Sequence, residues 1–404
     1  MEIAIIGGGA AGFFAAINAK ENYPEAEVVI FEKSTKLLAK VKISGGGRCN
    51  LTNNCASIKE LSAAYPRGGN ALKKAFRSFD NRQTMQWFES RGIPLVTQED
   101  NCVFPNSQNS QSIIDCFLEQ TARLNIKIEL GSGIKAIKET DGKLLLSFVG
   151  KGALARTFDK VIVATGGSPK RDGLVWLEKL NHQIETPVPS LFSFKMADEQ
   201  ITELMGIVVE NALVHIQGTK FKSAGPLLIT HWGMSGPAIL KLSSFGARWL
   251  SEQNYHFNLQ VNWTNLSNQE EVLAGLNSIA TENPKKLLGN VKPYSLSERL
   301  WSYLLEKSNL STSKKWGEIG KAGVNKLVNV LTNDVYAVQG QTQFRDEFVT
   351  CGGISLESID LNTMQSKVCK NLYFAGEVLD IDGITGGYNF QAAWTTAFVA
   401  AKLN

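Results

Sequence analysis

At 404 residues the chain is too long for one compact core, and a norm of about 150 residues per domain implies two or three domains. Apolar residues at 43% and charged residues at 20% exclude disordered, collagen-like and coiled-coil classes. With 42 Lys and Arg against 38 Asp and Glu, the net charge of +4 is too slight to indicate a nucleic-acid or membrane partner.

No run approaches the roughly 18 apolar residues that span a bilayer, and Met1-Glu2 leads straight into Ile3–Ile6, so no leader peptide is expected. Six scattered cysteines (Cys49, Cys55, Cys102, Cys116, Cys351, Cys369) form no C-x-x-C and no metal-like pairing with the four histidines. A reducing, cytoplasmic protein without a metal is expected. Nothing in the composition fixes an oligomeric state.

In chain order, a strand Glu2–Ile6, a turn Gly7-Gly8-Gly9, an Ala-rich helix from Ala10 and a strand Val28–Phe31 make one βαβ unit. The Gly-rich segment Ser44–Asn50 follows, then one helix over Asn70–Arg91 and another over Ser110–Leu124. Short strands at 127–130, 134–139, 144–149 and 157–164 read as a β-meander, with Asp141-Gly142 as a hairpin turn and 150–155 as a hairpin loop. After Thr186-Pro187-Val188-Pro189 the pattern changes, which places an insertion at about 190–342. Residues 190–266 and 333–342 read as β-rich, and 267–332 as helical with caps Asn268 and Ser297. Residues 343–404 return to the style of 1–189, with a strand 371–375, a Gly383–Gly387 turn and a closing helix 388–402.

Gly7-x-Gly9-x-x-Gly12 follows a strand and opens a helix, and Glu32 lies twenty residues beyond Gly12 at the next strand end. Gly7 permits the tight turn, Gly9 lets backbone approach a pyrophosphate, and Gly12 lets helix and sheet pack closely. The helix start at Ala10-Ala11 offers free N–H groups to phosphates, and the Glu32-Lys33 pair sits where a carboxylate accepts ribose hydroxyls. Two further strand ends, Ala164-Thr165-Gly166-Gly167 and Ala375-Gly376-Glu377, lean toward FAD over NAD, because an acid after a glycine reaches a ribitol hydroxyl without steric conflict.

The chain resembles the HI0933-like, or aminoacetone-oxidase-like, flavoproteins of the two-dinucleotide-binding-domain superfamily. The matching pieces are the amino-terminal fingerprint, Lys40-x-x-x-Ser44-Gly45-Gly46-Gly47-Arg48-Cys49-Asn50-Leu51-Thr52-Asn53, Phe104-Pro105, the 164–167 turn, Thr230-His231-x-Gly233-x-Ser235-Gly236-Pro237, Thr350-x-Gly352-Gly353, and Gly376-Glu377-x-Leu379-Asp380-x-Asp382-Gly383-x-Thr385-Gly386-Gly387-Tyr388-Asn389. The resemblance implies an α/β fold: a Rossmann-like domain with non-covalent FAD, interrupted by a β-barrel-like domain and a small helical domain. It implies that Lys40, Val41, Arg48, Cys49, Asn50, Thr52 and Ile134 line the cofactor. Gly376, Glu377, Asp380, Gly387, Tyr388, Asn389 and Phe390 contribute from the carboxyl-terminal return.

Because a flavin carries the hydride, the protein has to position a substrate and stabilise charge. The closing helix would aim N–H groups at the flavin N1 and C2 carbonyl region. Arg48 suits a phosphate or the flavin edge, Cys49 is more often a buried inert thiol than a redox group, and His231 is more often a hydrogen-bonded residue fixing the Gly233–Pro237 turn than a general acid. No catalytic residue is assigned. The leading expectation is an FAD-dependent oxidoreductase acting on a small molecule between the flavin domain and the insertion, with NAD(P)H as a candidate transient co-substrate. An RNA-binding or tRNA-modifying flavoprotein is one alternative, resting on Lys285, Lys286 and the basic residues after them. Glu282, Glu298, Glu306 and Glu318 interrupt that run, so a solvated face is favoured and nucleic acid is not expected. The other alternative is a non-enzymatic FAD redox sensor.

Overall fold

Continuous apolar runs suit strands covered on both faces, and Ile3–Ile6 and Val28–Phe31 are accordingly buried in neighbouring parallel strands, β1 (Glu2–Ile6) and β2 (Glu27–Phe31). The computed structural model describes residues 1–150, 154–342 and 349–404. They fall into two compact units, Met1–Ser190 with Arg345–Asn404, and Leu191–Phe344.

In the first unit five parallel strands lie in the order Leu372–Phe374, Lys160–Val163, β1, β2, Lys127–Glu129, with Gln365–Ser366 and Ile359–Asp360 added antiparallel at one edge. The carboxyl-terminal strand is therefore two places from the amino-terminal one. Helix α1 (Ala10–Asn22) packs with the closing helix Tyr388–Ala400, where Phe14 meets Trp394 with ring centroids 5.3 Å apart. A meander of Ile134–Thr140, Lys143–Phe148 and Arg156–Phe158 turns at Asp141-Gly142, both at positive φ as a two-residue hairpin requires.

The second unit is an antiparallel seven-stranded sheet in the order Asp334–Gln339, His256–Asn262, Val208–Ile216, Lys222–Thr230, Gly233–Ser235, Ser193–Lys195, Gln341–Thr342. Helices Gln269–Glu282, Glu298–Lys307 and Gly320–Thr332 share one hydrophobic core with it, and Asn268 and Ser297 cap the first two. The chain is thus α/β, a Rossmann-like unit with a β-meander, interrupted in sequence by a β-barrel-like sheet with helices.

Three local expectations are corrected. The helix expected over Asn70–Arg91 is two, Gly69–Phe76 and Asn81–Glu89, because Asp80 accepts from the Arg82 and Gln83 amides in a capping box and starts a new helix. The strand expected over 157–164 breaks at Asp159, whose carboxylate accepts the Glu2 N–H at 2.7 Å, so the chain leaves the meander and enters the parallel sheet. Residues 191–262 contain a sixteen-residue helix, Pro237–Glu252, begun by Gly236 at φ +90° and Pro237 at its first position. Thr186–Pro189, after which the pattern changes, lies inside strand Ile184–Ser190, paired with Val349–Ile354. The expected 150–155 hairpin loop and the return at residue 343 lie in part outside the described residues.

Candidate functional site

Three separate reasons require the three fingerprint glycines. Gly7 has φ +117°, and a Cβ there would sit 2.3 Å from the Ala164 carbonyl oxygen; a Cβ on Gly12 would sit 1.9 Å from the Gly7 oxygen. Gly9 meets nothing within 4 Å, which leaves an open approach to the backbone. The first-turn amides of Ala10, Ala11 and Gly12 have no carbonyl four residues back inside α1, and Gly9 brings no side-chain cap. With the positive end of the helix dipole, they form an anion site.

Glu32, half-buried at the end of β2, accepts the Gly8 N–H through Oε2 and the Ser34 N–H through Oε1, each at 2.8 Å. Each oxygen keeps a second lone pair for a hydroxyl donor. Lys33 is exposed beside it. Ser132 donates to the Glu32 carbonyl at 2.8 Å, which brings half-buried Ile134, at the start of the meander, to the same strand end.

The carboxyl-terminal return joins this edge. Lys160–Val163 runs parallel to β1, so buried Ala164, exposed Thr165 and Gly166 (φ +74°) emerge beside Gly7. A Cβ on Gly376 would lie 2.8 Å from the Ala11 Cβ, so this turn packs directly on α1. Glu377 forms an ion pair with Lys40 at 2.7 Å and accepts the Thr350 N–H at 2.9 Å. Lys40 and buried Val41 belong to α2 (Ala39–Gly47), which runs into the Gly-rich segment and loses its helical backbone at Ser44, Gly45 and Gly46.

With its side-chain amide turned so that both ends find a partner, Asn50 donates to the Thr52 carbonyl at 3.0 Å and accepts the Gly387 N–H at 3.3 Å. Buried Thr52 donates to Gln391 Oε1 at 2.6 Å, and Gln391 donates to Thr395 Oγ at 3.0 Å. These contacts fasten the closing helix to the 50–52 segment. A Cβ on Gly387 (φ +89°) would sit 2.4 Å from the Thr52 oxygen, so only glycine fits. The helix has no side-chain cap, which leaves the Tyr388, Asn389 and Phe390 amides free as a second anion-facing terminus.

Several candidates are engaged by other groups of the chain, and Cys49 is the buried inert thiol expected. The Arg48 guanidinium lies over the Phe104 ring, 4.2 Å from its centroid, and donates to the Gly45 carbonyl. Cys49 is fully buried and its thiol is pushed up to about 12, so it carries no thiolate character. The Asn389 side chain makes a reciprocal pair with the Gly383 backbone at 2.8 and 3.0 Å, folding the loop; only its N–H remains for a ligand. Phe390 stacks on Trp394 at 5.5 Å, and the Asp380 amide is spent on the Ile354 carbonyl. In the second unit His231 is exposed against Trp232, with no hydrogen bond recorded among the described residues. The hydroxyl of Thr230, donating to the Gly233 carbonyl at 3.1 Å, holds the turn instead.

Two clusters escaped the sequence reading. Arg67 is paired with fully buried Asp382, donating from Nε to Oδ1 at 2.6 Å and from Nη2 to Oδ2, while Ser190 donates to Oδ2 at 2.7 Å. Burial raises the Asp382 carboxyl above its ordinary range against the pull of Arg67 and Ser190. Close by, Tyr65 donates to the Tyr388 carbonyl at 2.6 Å, and the Tyr388 hydroxyl lies 3.7 Å from the Cys55 thiol. Burial raises both the Tyr388 hydroxyl and the Cys55 thiol, so each stays protonated at neutral pH. Asp382 stands inside the Gly-rich motif and Arg67 in Pro66-Arg67-Gly68-Gly69, but nothing in the sequence links them across 315 positions.

The residues fit an FAD: two uncapped helix amino ends, a strand-end carboxylate, and open space over Gly9, Gly46 and Gly166. Among the described residues no cluster could hold a metal and no helix is long and apolar enough to cross a membrane. The model of the HI0933-like protein Rossmann domain family matches residues 1–403. The chain is 25% identical to a 3-dehydro-bile acid delta(4,6)-reductase of Clostridium scindens over 99% of this chain and 98% of that one. It is 28% identical to a ribosomal RNA dihydrouridine synthase of Haemophilus influenzae over 98% and 96%. A 3-ketosteroid delta1-dehydrogenase from Sterolibacterium denitrificans superposes with a TM-score of 0.52 at 12% identity, over 99% of this chain and 98% of that one, and shares the fold. The chain belongs to the HI0933-like Rossmann-domain family and is an FAD-dependent oxidoreductase.

Proposed function

We propose that the protein reduces a carbon–carbon double bond conjugated to a carbonyl group within a ring, with NADH or NADPH as the electron donor. The observation that carries this reading is that two relatives matched nearly end to end are named for different molecules but one bond type. The delta(4,6) bonds of a 3-dehydro bile acid lie in conjugation with its 3-carbonyl, and dihydrouridine is uridine with the ring double bond beside a carbonyl reduced.

When bound and reduced by NADH or NADPH, the flavin would supply a hydride to the alkene carbon β to that carbonyl. The residues then have limited tasks. Glu32 would accept the adenosine ribose hydroxyls, and the α1 amides would bind the pyrophosphate. Lys40, paired with Glu377, ties α2 to the carboxyl-terminal turn. The Tyr388, Asn389 and Phe390 amides would stabilise negative charge on the flavin's N1 and C2 carbonyl region. The alkene also needs a proton at its α carbon. The Tyr388 hydroxyl and Cys55 thiol, protonated neighbours 3.7 Å apart, are the candidate source.

A second reading, in which the ring is a uridine held in RNA, is favoured by the basic residues between Asn283 and Lys326. Anaerobic stopped-flow tests the main proposal: flavin reduced by NADH or NADPH is mixed with a 3-oxo-Δ4 steroid, a uridine-containing RNA, a saturated ketone and an isolated alkene. Reoxidation by a conjugated acceptor alone is expected. If no conjugated acceptor outpaces its reaction with free reduced FAD, the proposal fails.

A further inference from the structure

The stretch Asn283–Lys326 carries nine of the chain's 42 Lys and Arg but three of its 38 Asp and Glu, so the remainder is close to neutral and slightly acidic. The net positive charge is concentrated here. Segments 284–289 and 312–317 are clipped antiparallel. Leu288 N–H donates to the Lys314 carbonyl at 2.8 Å and Trp316 N–H to the Lys286 carbonyl at 3.0 Å. Gly289 N–H donates to the Thr312 carbonyl and Gly317 N–H to the Pro284 carbonyl, each at 3.0 Å.

That register, with Leu287 bridged to Lys315, sets Lys286 diagonally next to Lys315, so the four lysines occupy successive rungs of the clip. The platform is rigid. Buried Trp316 stacks on buried Trp301 with planes 7° apart, and Trp301 Nε1 donates to the Leu288 carbonyl at 2.7 Å. Lys285 and Lys286 are exposed and Lys314 half-buried, and none of the three is ion-paired among the described residues. Lys315 reaches Glu318 only at 3.5 Å, between two exposed side chains. Lys307, by contrast, is committed to buried Asp334 at 2.6 Å.

Segments 284–289 and 312–317 carry these four lysines and no carboxylate of their own, with Glu282 and Glu318 flanking them. Four cations on these two clipped segments match a run of phosphates, which attract lysine as a point charge without base selectivity. Resting on the reading that the reducible ring is a uridine of RNA, we propose that Lys285, Lys286, Lys314 and Lys315 form a docking surface for the RNA phosphate backbone.

The test uses the full chain with FAD bound and a fluorescein-labelled RNA stem-loop with uridines in its loop, followed by anisotropy between about 50 and 200 mM salt. At about 0.7 to 0.9 per released counterion, replacing all four lysines by Gln should lower the slope of log affinity against log salt by about three and weaken binding at low salt at least about tenfold. The four-arginine variant should keep the slope. Replacing exposed Lys59, Lys73, Lys135 and Lys138 by Gln removes equal charge from the other unit and should change it little.

Equal losses from both glutamine variants, or no change in either, overturn the proposal. Absence of RNA binding by the parent, with turnover of a small ring enone intact, overturns it and leaves the alkene-reductase reading standing. RNA binding that follows the four-lysine pattern without reduction of any conjugated alkene supports the surface and defeats that reading.

Discussion

Replacing Arg67 by Met keeps the length and the apolar stem of the side chain but leaves the Asp382 carboxylate buried, with the Ser190 hydroxyl still donating to it. Parting a buried ion pair costs roughly 3–5 kcal/mol, because an uncompensated charge stays out of water. At about 2–4 °C per kcal/mol for a unit of this size, the melting temperature should fall by roughly 6–20 °C. A pH signature accompanies the loss. A carboxyl whose folded pKa lies above its unfolded value contributes stability that is fully present below the unfolded pKa and is lost as pH rises through the folded one. Burial already places Asp382 in that class, and removing Arg67 raises it further. The deficit relative to the parent should therefore be smallest near the ordinary carboxyl value of 3.8 and grow toward neutrality. Asp382→Asn added to Arg67→Met should flatten that dependence. Scanning calorimetry of parent, single and double variants at acidic and neutral pH reads all three. A deficit below about 1 kcal/mol, or one equal at both pH values, would refute the buried-pair argument.

Glu32→Ala removes the acceptor proposed for the ribose hydroxyls, a charge-assisted bond worth about 1.5–3 kcal/mol, so FAD affinity should fall roughly 10- to 150-fold in a fluorescence titration; unchanged affinity would remove the role. Gly12→Ala drives a Cβ onto the Gly7 oxygen at 1.9 Å, and the purified variant should carry no flavin by absorbance at its visible bands. Alkylation by iodoacetamide at mildly basic pH should spare Cys49, whose thiol stands at about 12, and mass spectrometry finding it modified in the native protein would contradict its burial. Asp80→Ala should cost about 1 kcal/mol by releasing the start of helix Asn81–Glu89, read as a small drop in melting temperature.

The parts of the site legible in the sequence are those whose chemistry is local. Gly7, Gly9, Gly12 and Glu32 form one strand–turn–helix–strand unit, and each position answers to a constraint within about thirty residues. Asp141-Gly142 was readable for the same reason. Breaks set by a single side chain were hidden: Asp80 and Asp159 lie inside apolar patterns that read as continuous, and one carboxylate accepting a backbone N–H divides each. The helix Pro237–Glu252 was obscured by the Gly-rich turn before it, although Ile239, Leu242, Gly246 and Leu250 fall on one buried face. Hidden most completely were pairings over long separations, such as Arg67 with Asp382 and Thr52 with Gln391, since no local periodicity encodes them.

The visible absorption spectrum of the purified protein, with released flavin quantified after denaturation, addresses the account most directly. One FAD per chain, diminished on Glu32→Ala and absent from Gly12→Ala, is the predicted result. A colourless protein that takes up no FAD when soaked with it would contradict the whole construction.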